Sequence, residues 1–174
     1  MDCSQVIALI EEAFPLGPRP HMTLAQAHLA DDSMAREITD VEWKAAADSD
    51  GQKNWRDYSD DDLLARKSAL AHLEPDGFVY YLPAFLCFAL RHYRDEWTNH
   101  AWSLSGSAVF FVTERSPYML TRYERFTPAQ RDAVVSFLEF IAQEGQWSES
   151  QQAEKALKRY WKSPKPATVT IHVP

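Results

Sequence analysis

The longest apolar stretch of the chain runs from Phe78 to Leu90 (FVYYLPAFLCFAL), thirteen residues without a charge or a strongly polar group. A bilayer crossing needs about 20 apolar residues, so this run fits the centre of a folded core and not a membrane span. The pattern allows one helix over 78–93 kinked at Pro83, or a helix that starts at Pro83 after an extended lead-in; the first is preferred, because Tyr81, Phe85, Cys87 and Phe88 keep helical company on both sides of the proline. Pro75-Asp76-Gly77 reads as the turn that launches it.

Weaker stripes flank this run. Val6, Ile10, Ala13 and Phe14 share a helical face, and the PLGPRP segment after them ends that helix. Thr23 and Gln26 form a capping box for a short helix reaching Leu29. Met34, Ile38, Val41 and Trp43 give interrupted helical spacing, closed by a DSDG turn at 48–51. Ser59 followed by Asp60, Asp61 and Asp62 starts a helix whose inward stripe is Leu63, Leu70 and Leu73. Thr127-Pro128-Ala129-Gln130 is the clearest helix start, followed by Val134, Phe137, Leu138 and Ile141, with Gly145 as the stop. Ser148 is expected to cap a last helix that buries Ala153, Leu157 and Trp161. Residues 107–113 (SAVFFVT), rich in aromatic and β-branched side chains, read as a buried extended segment. Alternating Val169, Ile171 and Val173 read as an edge strand or a loose tail.

The expectation is a mainly α fold of five or six helices, with at most a minor extended element near 107–113 and at the C-terminal tail. Residues 1–162 are read as one helical domain and 163–174 as tail or edge strand. Scarce glycine, five in 174 residues, argues against a turn-rich β-sandwich or a phosphate-cradling loop. The start Met1-Asp2-Cys3-Ser4 lacks the basic and apolar regions of a signal peptide. Cys3 and Cys87 have no paired-ligand spacing and read as reduced thiols, which places the expectation in the cytoplasm.

One order of motifs resembles a known family. Asn54-Trp55-Arg56-Asp57 precedes Gly77-Phe78-Val79-Tyr80-Tyr81-Leu82-Pro83-Ala84-Phe85, and Phe126-Thr127-Pro128-Ala129-Gln130 follows. This W-R-D … G-F-x-Y-Y-L-P-A-F … F-T-P-x-Q order is similar to a family of small bacterial proteins known only as a domain of unknown function. The resemblance spans roughly residues 24–143, and it implies a bacterial single-domain protein with no catalytic residue to carry over.

Charge changes the picture more than composition does. Residues 1–76 hold sixteen acids and seven bases, whereas residues 77–174 hold nine acids and eleven bases. An acidic half repels nucleic acid and anionic lipid and attracts a basic protein. No H-E-x-x-H, G-x-S-x-G, Walker or G-x-G-x-x-G pattern is present, and no cofactor is expected. His28 with Asp31 or Asp32, and His92 with Glu96, have the helical spacing of metal pairs, but both read first as surface groups. Trp43 and Trp55, with Asp57, Asp60, Asp61 and Asp62, are therefore the candidate docking residues: aromatic anchors with an acidic rim. The expected activity is non-enzymatic binding of a basic protein, in the manner of an immunity-type neutraliser. An enzyme with its site near residues 91–100 is the alternative.

Overall fold

The computed structural model describes residues 1–95 and 100–163. Ten α-helices occur among them: α1 (Cys3–Ala13), α2 (Leu24–Asp32), α3 (Asp40–Asp50), α4 (Asp60–Ala65), α5 (Ala69–His72), α6 (Pro75–His92), α7 (His100–Thr113), α8 (Pro117–Tyr123), α9 (Pro128–Glu144) and α10 (Trp147–Ala156). A 3₁₀ turn lies at Trp55–Asp57, and a π-turn continues α10 through Leu157–Trp161. The mainly helical class is as the pattern predicts, but five or six helices is too few. The acidic stretch and the Ser59–Leu73 segment divide into more and shorter helices than their stripes indicate. The Val169–Val173 pattern lies outside the described residues.

The extended segment expected at 107–113 is the second half of α7, and no strand occurs among the described residues. The β-branched and aromatic side chains there follow a helical period that begins earlier. Ala101, Leu104, Ser105, Ala108, Val109 and Val112 are all buried, the recurrence at three and four residues that marks one helix face. Tertiary burial overrides local β preference at this site.

Five helices close a ring around the core. α6 packs on α7, α7 on α10, α10 on α9, α9 on α1, and α1 on α6. α6 contributes most, burying a continuous series from Tyr81 to Leu90 in addition to Gly77 and Phe78. It starts earlier than its sequence indicates, with Pro75 in the first turn, where its missing N–H costs nothing. The helix runs on through Pro83, which cannot donate to the Val79 carbonyl one turn back. Gly77 is a close-approach site, since a Cβ there would lie 3.3 Å from Leu73 and 3.7 Å from Pro20.

The remaining helices form a layer beside the ring. α2 packs on α3 and α5, while α4 and the 3₁₀ turn lean on α6. Capping boxes begin α1 (Asp2, Gln5), α2 (Thr23, Gln26), α3 (Thr39, Glu42), α4 (Ser59, Asp62) and α9 (Thr127, Gln130). α10 begins at Trp147 with Gln146 in the N-cap position, two residues before the serine expected to cap it. The C-terminal carbonyls of α7 are met by side chains. The Tyr123 hydroxyl lies 2.9 and 2.8 Å from the carbonyls of Phe111 and Glu114, and the Trp161 indole donates to Val112 at 2.7 Å.

Arg122 on α8 is 0% exposed. Its guanidinium donates to the carbonyls of Leu70 and Ala71 at 3.1 Å each, and also to the Leu73 carbonyl and the Tyr118 hydroxyl. It lies 4.8 Å from the Phe78 ring centre and 4.1 Å from that of Tyr118. A fixed positive charge thus caps the C-terminal end of α5.

Phe85 is fully buried at the middle of α6. Replacing it by Ala is expected to cost about 3–5 kcal/mol in denaturant titration. A cost under about 1 kcal/mol would place α6 at the periphery.

Candidate functional site

The acidic segment becomes two different structures. Around α4 the carboxylates are tied to the protein itself. Asp62 caps Ser59 and meets Lys53 at 2.8 Å and Arg66 at 3.5 Å. Asp60 pairs with Arg91 and, at 2.8 Å, with His92 at the end of α6. Burial alone would raise both carboxyls, but the hydrogen bonds from these cations hold them below the ordinary range. Asp57 is exposed and accepts the Asn54 N–H at 2.9 Å, and Asp61 is exposed in the first turn of α4.

The tryptophans also separate. Trp55 is 3% exposed, and its indole donates to the Phe14 carbonyl at 3.2 Å. It serves the core and presents no anchor to a partner. Trp43 is half-buried on α3, and its carbonyl accepts from the buried Gln26 amide at 3.2 Å. The structure therefore does not gather the six candidate docking residues on one free face: Trp55, Asp60 and Asp62 are committed within the fold.

α3 is the part of the acidic segment that faces outward. It packs mainly on α2, and Asp50 at its last position is its buried residue. Asp50 is 1% exposed, accepts the Ala25 N–H in the first turn of α2 at 2.7 Å, and lies 3.0 Å from the Arg66 guanidinium. Gly51 then ends the helix with a φ of 55°, in the left-handed region that glycine tolerates. At the other end, Met34 and Val41 are 80% and 79% exposed. Glu37, Asp40 and Asp48, in the same segment, are exposed and have no ion-pair partner among the described residues. Glu42 differs: Arg36 at 2.8 Å, with the Thr39 amide and hydroxyl, draws its carboxyl down to about 2. Sequence reasoning passed over Met34 and Val41 as interrupted core positions, although their poor spacing was itself a sign of exposure.

The 91–100 region centres on His92. Its Nδ1 is 2.8 Å from Asp95 and its Nε2 is 2.8 Å from Asp60. Burial opposes its charge, but the two carboxylates outweigh this and raise its pKa. Both ring nitrogens are thus engaged by carboxylates of the protein itself. Glu96, its expected metal partner, lies outside the described residues. Cys87 is a buried thiol pushed up to about 12 by desolvation, far from the range of a working nucleophile.

A cleft of about 330 Å³ opens between the PLGPRP segment, Trp55 and the start of α6. Phe14, Pro18, Val79 and Tyr80 line it, with the 3.5 Å Asp76–Arg125 pair at its rim. Its lining includes neither histidine nor cysteine among the described residues. A separate polar cluster occurs where α2 meets α5, formed by His28, Asp31, Asp32, Ser68 and His72.

A family model matches residues 2–165 of the chain. The chain belongs to DUF6714, a family of unknown function. The match extends well beyond the 24–143 span that carried the resemblance, so α1 and α10 are part of the family's fold as well as the α6 core. No curated protein and no solved structure matches it.

The raised pKa of His92 has a defined sign. Its contribution to stability is complete below the unfolded value of about 6.5 and is lost as pH rises through the folded value. His92→Gln is expected to cost about 0.5–1 kcal/mol more at pH 5.5 than at pH 9, the range appropriate to a partly screened pair. Asp60, with its lowered pKa, stays ionised throughout that window. Equal costs at both pH values in urea titrations would mean that the imidazole is neutral in the fold.

Proposed function

We propose that this DUF6714 chain is a non-enzymatic protein-binding module, and that α3 with the turn before it is its docking face for a basic partner. One observation carries this reading. Met34 and Val41 stand exposed in the same segment as Glu37, Asp40 and Asp48, exposed carboxylates that have no counter-ion among the described residues. An apolar centre with a polar rim is the anatomy of a protein interface, and unpaired carboxylates in that rim favour a cationic surface opposite. Asp57 and Asp61 add exposed charge in the next segment of the chain, which Arg66 ties to α3 by joining Asp50 to Asp62. An immunity-type role, masking a basic effector protein by covering it, is the form of binding that best uses such a face. Catalysis at 91–100 has less support, since His92 is held by two carboxylates.

A photo-crosslinking residue at Val41, used in living cells, identifies the partner. Association kinetics with that partner then test the face. Glu37→Lys, Asp40→Lys and Asp48→Lys together should slow association by about tenfold or more in dilute buffer. The difference should largely close in 1 M salt, where the screening length is about 3 Å. Stability should change by no more than about 1 kcal/mol, from the loss of Asp40 at the positive end of α3. Unchanged rates in dilute buffer would move the docking face elsewhere.

A further inference from the structure

We propose that His28, Asp31 and Asp32 form a binding site for a divalent transition-metal ion of the zinc class, oriented by Ser68 and His72. The three side chains stand at i, i+3 and i+4 near the end of α2, and their ligand atoms lie within 4.8 Å of one another. His28 Nε2 is 3.3 Å from Asp32 Oδ2. That is the spacing of two ligands on one tetrahedral ion with bonds of about 2.0–2.1 Å.

The groups behind these ligands have the arrangement a metal site requires. His28 Nδ1 lies 3.2 Å from the Ser68 hydroxyl. An N–H donated there leaves the Nε2 lone pair facing the carboxylate, the tautomer that binds metal. From α5, His72 Nε2 holds Asp31 Oδ1 at 2.8 Å. Two elements far apart in sequence thus converge on one small set of nitrogen and oxygen donors.

The electrostatics of α2 favour a cation at the same place. Its last turn carries two carboxylates and no basic residue. Negative charge at the C-terminal end of a helix opposes the dipole, and a bound cation reverses that penalty. The Asp32 side chain is 63% exposed, which gives an ion access from solvent. Imidazole with carboxylate suits zinc better than magnesium or calcium, which prefer oxygen alone. Three protein ligands leave a fourth position open to water.

The test uses the full chain, stripped by a chelator and titrated with Zn²⁺ alone against a chromophoric competitor. One equivalent should bind, and zinc should raise the melting temperature because only the folded state holds it. Asp32→Asn, at an exposed side chain, should fold normally and weaken binding by about tenfold or more. His28→Ala should weaken it by about 100-fold, and Ser68→Ala by about tenfold through loss of the orienting bond. His92→Gln should bind as the parent does. X-ray absorption of the zinc-loaded protein should show nitrogen and oxygen ligands only. Failure of the parent chain to take up zinc, a sulfur ligand, or unchanged affinity in both Asp32→Asn and His28→Ala would each overturn the proposal.

Discussion

Arg122 carries its charge into the interior without a carboxylate partner among the described residues, and its solvation by carbonyls and rings fixes the arrangement of everything around it. Burying a guanidinium costs several kcal/mol unless each donor finds an acceptor. The Nη groups find theirs in the last carbonyls of α5, a four-residue helix too short to persist alone, while the buried Nε has no partner among the described residues. α8 therefore dictates where α5 ends, and hence where the chain turns into α6 at Pro75. The same guanidinium lies on Phe78, so the start of the central helix is held from the side as well. With α5 set in place, Ser68 and His72 meet α2. The polar cluster at that junction depends on an arginine about fifty residues further along the chain.

The sequence made some of this legible. The core face of α6, the stripe of α9 and the caps at Thr23, Ser59 and Thr127 rest on local periodicity and local hydrogen bonding, which any short window contains. What escaped is long-range. Asp60 and Asp62 look solvated in the run SDDD, because their partners Arg91, His92, Lys53 and Arg66 come from other turns and helices. Trp55 looks like a surface anchor because its neighbours are charged, whereas its ring is sealed against Phe14 and the core. Arg122 sits in a basic and aromatic run that resembles a solvated face. α7 was hidden for a different reason: its C-terminal half has strand-like residues, and the helical period appears only when the window reaches back to Ala101.

The acidic half also divides by purpose. Asp60 and Asp62 of α4 neutralise cations of the fold, whereas Asp40 and Asp48 of α3 are exposed. α2 lies between the two systems, receiving Asp50 of α3 at its N-terminal end and presenting Asp31 and Asp32 at its C-terminal end.

The attachment of α3 by Asp50 has a kinetic consequence. A helix held by Asp50 and by the Gln26 amide on the Trp43 carbonyl, with Asp50 as its one fully buried residue, is expected to open separately from the core. Its amides exchange with solvent through excursions that leave the five-helix ring intact, so their protection reflects a local free energy well under that of global unfolding. Opening of α3 would release the Ala25 N–H and the Arg66 guanidinium from Asp50 together, while the interior of the ring stays closed.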